Sequence, residues 1–154
     1  MGILVDVSHL NDPGFWDVVD VTERPFVASH SNVRGLCNHE RNLTDDQIKA
    51  LAAKGGLMGI NYAVGFLVEG AHRGSDVPLG VLVDHIDYIV NLVGIDHVAL
   101  GSDYDGAGVP DALKDVAHDG VLVEELARRG YDEGAIAKIC RDNWLRVLAE
   151  VWAE

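Results

Sequence analysis

The sequence has little cysteine, little positive charge and no long apolar run, and each shortage removes a class of protein. Only two cysteines, Cys37 and Cys140, occur among the 154 residues. They lie far apart without a CxxC spacing, which excludes a disulfide framework and a zinc ribbon and fits a reducing, cytoplasmic setting. Twelve Lys and Arg stand against 25 Asp and Glu, a formal charge of −13. So acidic a surface repels phosphate backbones, and nucleic acid is not an expected partner. The fully apolar runs are a few residues long, far short of the roughly 20 needed to span a bilayer, and no basic start leads into an apolar stretch as in a signal peptide. Glycine follows no period and no heptads are sustained, so collagen-like and coiled-coil classes fall away.

What is present is the composition of one folded unit. Hydrophobic residues make up 48% and charged residues 24%, enough apolar content to offset chain entropy. With no linker, low-complexity tract or sequence repeat, residues 1–154 read as a single domain. Short apolar runs recur: Ile3-Leu4-Val5-Asp6-Val7, Pro25-Phe26-Val27-Ala28-Ser29, Leu57-Met58-Gly59-Ile60-Asn61 and His97-Val98-Ala99-Leu100-Gly101. Near-continuous runs of this length read as strands buried on both faces.

Helical signals lie between them. Asp12-Pro13-Gly14 suggests a cap with proline in the first turn. Thr44-Asp45-Asp46-Gln47 is a capping-box pattern, and Gly55-Gly56 ends the helix it starts. Apolar residues from Leu79 to Val93 follow helical spacing up to Gly94. A Gly- and Asp-rich loop then runs to about Asp119, and three helical stretches close the chain near 120–129, 132–140 and 142–152, with Asp132 and Asp142 as candidate N-caps and Trp144 and Trp152 expected in the core. Four successive βα units mean a parallel sheet with right-handed crossovers, either an open doubly wound sheet or part of a (β/α)8 barrel. No GxGxxG or P-loop follows the first run, which weakens the open-sheet reading.

The polar residues that interrupt these runs fall at the carboxyl ends of the strands, where ligands bind in parallel α/β folds. His9 ends the first, His30 the second, Asn61 the third, and Asp103 with Asp105 the fourth. Two imidazoles and a carboxylate facing one mouth form a plausible hydrolytic metal constellation. A lone strand-end histidine is more often structural, but the repetition at adjacent strands reverses that balance. His39, His72 and His118 lack such placement; His85, within a helical run, and His97, at the wrong end of a strand, read as structural. Asp6 fits either an acceptor for a ligand histidine or a turn contact. Arg34 and Arg41 fall on the ligand side, where an arginine either clamps a carboxylate or is solvated. Asp105 reads as a turn residue.

Four stretches, Asp6-Val7-Ser8-His9, Ala28-Ser29-His30-Ser31-Asn32, His39-Glu40-Arg41-Asn42-Leu43-Thr44-Asp45-Asp46 and Gly101-Ser102-Asp103-Tyr104-Asp105-Gly106, together with His85-Ile86-Asp87 and Asp142-Asn143-Trp144-Leu145-Arg146-Val147, resemble the membrane (renal) dipeptidase family of zinc metallopeptidases. The resemblance runs over essentially the whole chain. It implies a distorted (β/α)8 barrel with a two-zinc site, His9 and His30 as ligands of one zinc, Arg41 on the substrate's free carboxylate, and Asp103 at the active centre in contact with substrate. The implied reaction is hydrolysis of a dipeptide by a metal-bridging hydroxide, tolerant of a D-residue at the C-terminal position; some relatives also open β-lactams.

The family's His-x-Asp pair on strand one, its bridging Glu on strand three and a further substrate-binding His after strand four have no counterpart in this chain. It matches from strand five onward, the C-terminal half of a barrel of ~250 residues, and is expected to hold at most one zinc. The first expectation is therefore a zinc-dependent dipeptidase seen as one half, incomplete for catalysis by itself and joined by a missing half or a second copy. A non-catalytic half-barrel that oligomerises and binds metal weakly, and an open-sheet module for a small anion, are the competing expectations.

Overall fold

Runs rich in valine, leucine and isoleucine that are apolar on both faces need cover on both sides, and helices provide it. The computed structural model describes residues 2–153. Among these residues one parallel sheet of three strands forms, in the order β1 (Val27–Ser31), β2 (Leu57–Asn61) and β3 (Val98–Ser102). Every residue of β2 is buried. One core cluster gathers Phe26, Met58, Ile60 and Val98 with residues from helices α1 (Asp12–Val21), α2 (Asp45–Ala53) and α4 (Leu79–Val93); a second gathers Val27, Leu57 and Ala99 with Val147 and Val151 of the C-terminal helix. Alternate side chains of each strand thus feed opposite layers.

The first expected strand is reduced to an edge. Segment 3–7 lies parallel to β1 but makes one bridge, Asp6 to Val27, with Val7 N donating to the Val27 carbonyl and Val27 N to the Val5 carbonyl. Only its inner side is paired among the described residues, and Ile3 stays 67% exposed. The opposite edge of the sheet is covered from a helix terminus. Asn143 Nδ2 donates to the Val98 carbonyl at 2.8 Å, and the Trp144 indole to the Leu100 carbonyl at 3.0 Å. Both donors begin helix α7 (Asn143–Trp152), so the helix that closes the chain caps the rim of β3.

Local signals hold where side chains act on their own backbone. Thr44 and Gln47 form the full capping box, and Gly94 stops α4 with φ 96°. Three details differ. Asn11 rather than Asp12 caps α1, accepting from Gly14 N, because Asp12 is gripped by Arg34. Asp132 caps α6 (Glu133–Ala137), following α5 (Gly120–Arg128), but Asp142 caps nothing: a π-helical turn, Lys138–Asp142, carries α6 into α7, and Asp142 accepts from Arg141. Trp152 is 60% exposed rather than in the core. A short helix, α3 (Val64–Leu67), follows β2.

Curvature sets the mouth of the sheet. The register of β1 against β2 slips between Ala28 and Ser31, and that of β2 against β3 between Ile60 and Asn61, each slip adding one residue to the outer strand. Such bulges bend a strand and re-aim its side chains. Here they drive the Ser29 carbonyl inward over two glycines: a Cβ at Gly59 or Gly101 would meet that oxygen at 2.1 or 2.2 Å. Only residues without a side chain permit this approach.

Two outcomes follow. Gly59→Ala should cost more than about 3 kcal/mol, read as a lowered urea midpoint, because the added methyl meets backbone rather than a movable side chain. Gly120→Ala, which meets open space, should change stability by less than about 1 kcal/mol. The second outcome concerns His85, which is fully buried, accepts Val33 N on Nδ1 and lies 3.2 Å from the Leu67 carbonyl through Nε2. Burial pushes its pKa below the ordinary histidine value despite the Leu67 carbonyl and Asp84. The unfolded chain then takes the proton first, so stability is full above about pH 6.5 and declines as pH falls below it. The urea midpoint should drop between about pH 7 and pH 5, and His85→Gln should flatten that drop.

Candidate functional site

The carboxyl ends of segment 3–7 and β1 meet at the mouth, and their histidines meet with them. His9 Nε2 and His30 Nε2 stand 3.0 Å apart, with ring centroids separated by 5.1 Å. Two ligands of one tetrahedral zinc, each bonded at about 2.0–2.1 Å, sit roughly 3.3 Å apart, so the pair has the donor type and nearly the spacing to share an ion. Among the described residues no group of three or more His, Cys, Asp or Glu side chains gathers to hold a metal. The pair would leave most of a cation's coordination shell to water or to other donors.

His30 is held from behind. Its backbone N–H donates to Ser8 Oγ at 2.9 Å, and its Nδ1 lies 2.7 Å from Ser29 Oγ. Ser29 Oγ donates to Asp6 Oδ2 at 2.5 Å, while Asp6 Oδ1 accepts the backbone N–H groups of Ser8 and Ser29. Burial would raise the Asp6 pKa, but the Ser29 hydroxyl, with help from those backbone donors, outweighs it and holds the carboxyl below its ordinary value. Of the two alternatives for Asp6 the turn contact to Ser8 is made; Asp6 accepts from no histidine and is linked to His30 only through Ser29. Burial lowers the His30 pKa, opposed in part by the charges of Asp103 and Asp6, so the ring is neutral at pH 7 and able to donate a lone pair.

A cleft of about 430 Å³ opens beside His9 and is lined by Asn11, Arg34, Glu40 and Arg41 among others. The two arginines differ. Arg34 is committed to Asp12 through two bonds of 2.9 Å, with a further bond from Nε to the Asn42 carbonyl. Arg41 donates Nε to the Ser8 carbonyl at 2.8 Å, and its guanidinium carbon lies 5.3 Å from the Phe66 ring centroid. Its Nη2 is buried and has no partner among the described residues. Burial lowers its pKa against the pull of Asp103, Asp6 and Glu40, yet a guanidinium stays charged at any working pH. A guanidinium held in this way has the chemistry to bind an anionic oxygen.

Asp103 does not line that cleft. It reaches the histidines through Asn61, whose Nδ2 donates to Asp103 Oδ2 at 3.0 Å and to the His30 carbonyl at 3.3 Å. Ser102 and Asp103 both have positive φ, 38° and 75°, conformations that cost of order 1–3 kcal/mol each and cluster at functional sites. Asp105 is exposed and lies in a turn, as its sequence context suggested. Of the structural histidines, His85 is as described and His97 Nδ1 lies 2.8 Å from the Gly56 carbonyl.

Three contributors were not legible from the sequence. Ser29 links Asp6 to His30, Phe66 lies under Arg41, and Asn32 extends the β1–β2 ladder, its amide exchanging bonds with Asn61 N and O at 3.0 and 2.9 Å. The one available signal was Asp6, a carboxylate inside an apolar run that needed donors nearby.

Residues 1–153 match the family model described as membrane dipeptidase (peptidase family M19). The chain is 47% identical over 150 residues to the Klebsiella pneumoniae "Uncharacterized protein in pqqA 5'region", covering 97% of this chain and 55% of the relative. It is 32% identical to dipeptidase 3 of Mus musculus, over 98% of this chain and 30% of the relative. A solved metallo peptidase from Rhodobacter sphaeroides, liganded with a phosphinate mimic of the dipeptide L-Ala-D-Ala, superposes with a TM-score of 0.94 at 37% identity, over 98% of this chain and 43% of that one. The chain thus spans about half or less of the length of these relatives.

Proposed function

We propose, from the premise that this chain belongs to the membrane dipeptidase family (peptidase family M19), that it is the C-terminal half of a metal-dependent dipeptidase barrel and holds zinc through His9 and His30. Its α/β fold of parallel strands and helices matches about half of the solved family barrels, and membership in a metallopeptidase family implies a metal cofactor. The observation that carries the reading is the 3.0 Å approach of two imidazole nitrogens at adjacent strand ends.

Zinc, when bound, supplies a Lewis acid for the scissile carbonyl and a water of lowered pKa. The chain's own residues bind and orient. Arg41, already anchored to the Ser8 carbonyl and backed by Phe66, offers Nη2 to the free carboxylate of a dipeptide. Asp103, held by Asn61 outside the cleft beside His9, would accept a hydrogen bond from a substrate that extends past His30 toward the end of β3. Two histidines without a bridging carboxylate make a weak site, so the isolated chain is not a competent catalyst. The open side of segment 3–7, with Ile3 exposed, favours a second reading, a non-catalytic half-barrel that pairs along that edge and binds metal weakly.

Zinc content after equilibrium dialysis against Zn²⁺ should be at most one per chain, and His9→Ala and His30→Ala should each lower it; equal content in all three proteins would refute the ligand assignment. With zinc supplied, dipeptide turnover should require a longer chain that adds the segment the relatives carry. Comparable turnover by the 154 residues alone would show that the missing half is not needed.

In that longer chain Arg41→Lys should raise KM roughly 10–100-fold, because a point charge does not replace a guanidinium fork. Asp103→Asn should lower kcat with little change in Tm. A fall in Tm with turnover retained would make Asp103 a structural residue.

A further inference from the structure

We propose that Asp6 and Ser29 form a hydrogen-bond relay that fixes His30 in the Nδ1–H tautomer and so presents Nε2 as a bare lone pair toward His9. Its use for metal capture rests on the reading of His30 as a ligand, but the relay itself follows from counting protons.

An ionised carboxylate only accepts. Asp6 accepts three close hydrogen bonds, from Ser8 N at 3.1 Å, Ser29 N at 2.9 Å and Ser29 Oγ at 2.5 Å, with the Ser8 hydroxyl a weaker fourth donor that is 3.5 Å from Ser29 Oγ. A serine hydroxyl carries one proton, and the short bond to Asp6 takes it. Ser29 Oγ is then an acceptor toward everything else. His30 Nδ1, 2.7 Å away, must be the donor. A neutral imidazole has one N–H, so Nε2 has none. In the reverse arrangement the Ser29 proton points at His30, leaving Asp6 Oδ2 and Ser29 Oγ in contact with no proton between them, which is repulsive. The backbone N–H of His30, donating to Ser8 Oγ, fixes the root of the ring. His9 has no comparable arrangement: its Nδ1 makes no hydrogen bond among the described residues.

The relay also ties the tautomer to strand pairing. Asp6 and Ser29 are neighbours only because Asp6 bridges to Val27 and because the β1 bulge turns Ser29 toward the mouth. Asp6 and Ser29 are therefore positioning residues: they touch neither substrate nor ion and act through His30.

Long-range ¹H–¹⁵N spectra of the metal-free chain, well above the usual histidine pKa of about 6.5, read the tautomer directly. The parent should show His30 protonated on Nδ1. In Asp6→Asn the new amide donates to Ser29 Oγ and frees the serine proton for His30, so the ring should switch to the Nε2–H form. Zn²⁺ affinity, measured by competition with a chromophoric chelator, should fall about 10–100-fold. Ser29→Ala, which keeps the carboxylate and its backbone donors, should leave a mixture of tautomers. A parent with Nε2 protonated, or variants with an unchanged tautomer, overturns the relay. The expected tautomers in a parent that binds no Zn²⁺ would leave the relay standing and overturn the metal reading instead.

Discussion

The mouth of this sheet depends on one close approach, that of the Ser29 carbonyl to the backbones of β2 and β3. Gly59 and Gly101 both face that oxygen, and neither position has room for a methyl group. The two register slips that create the approach add residues to β1 and β3 but not to β2, so the outer strands curl over the central one. A flat sheet would carry His30 and Asp103 away from each other. The curled one brings both within hydrogen-bond reach of a single amide, Asn61. Curvature is thus the link between packing in the core and chemistry at the rim.

Several side-chain amides buried at the strand ends bond to backbone groups. Asn32, Asn42 and Asn61 are fully buried, and their amides bond to the backbone where the ladder stops: Asn32 to Asn61, Asn42 to the Cys37 and Phe66 carbonyls. A buried amide left unpaired costs about 1–3 kcal/mol, so each end of the ladder is held to one geometry. Among the described residues Ser31 Oγ, Asn42 Oδ1, Tyr62 OH, Arg146 Nε and Arg41 Nη2 are buried without a protein partner, and of these only Arg41 Nη2 belongs to a cation lining the cleft.

The two edges of the sheet are treated differently. Asn143 and Trp144 cover carbonyls of β3 from one helix terminus, and a capped edge is a poor template for a further strand. Segment 3–7 has no such cover among the described residues and leaves Ile3 and Val5 exposed. The same segment supplies Asp6, Ser8 and His9 to the mouth, so its seat against β1 sets the geometry there.

Much of this was determined by the sequence alone. Apolar runs at regular intervals gave the parallel α/β class, the Thr44–Gln47 box and Gly94 set helix ends, and the repeated placement of His9, His30, Asn61 and Asp103 at strand ends marked the mouth. These are local signals: each depends on a side chain and its own backbone within a few residues. Tertiary structure alone decided the rest, because it turns on contacts between residues far apart in the chain. No period in the sequence announces a bulge, since one added residue breaks the alternation that periodicity detects, and so the Ser29 carbonyl over Gly59 and Gly101 was invisible. Asp12 reads as a cap until Arg34, 22 residues on, takes its carboxylate, and Asp142 reads as a cap until a π turn runs through it. Position in the chain treats Arg34 and Arg41 alike and family resemblance alone singled out Arg41; packing supplies the physical difference, pairing the first with Asp12 and leaving Nη2 of the second without a partner among the described residues.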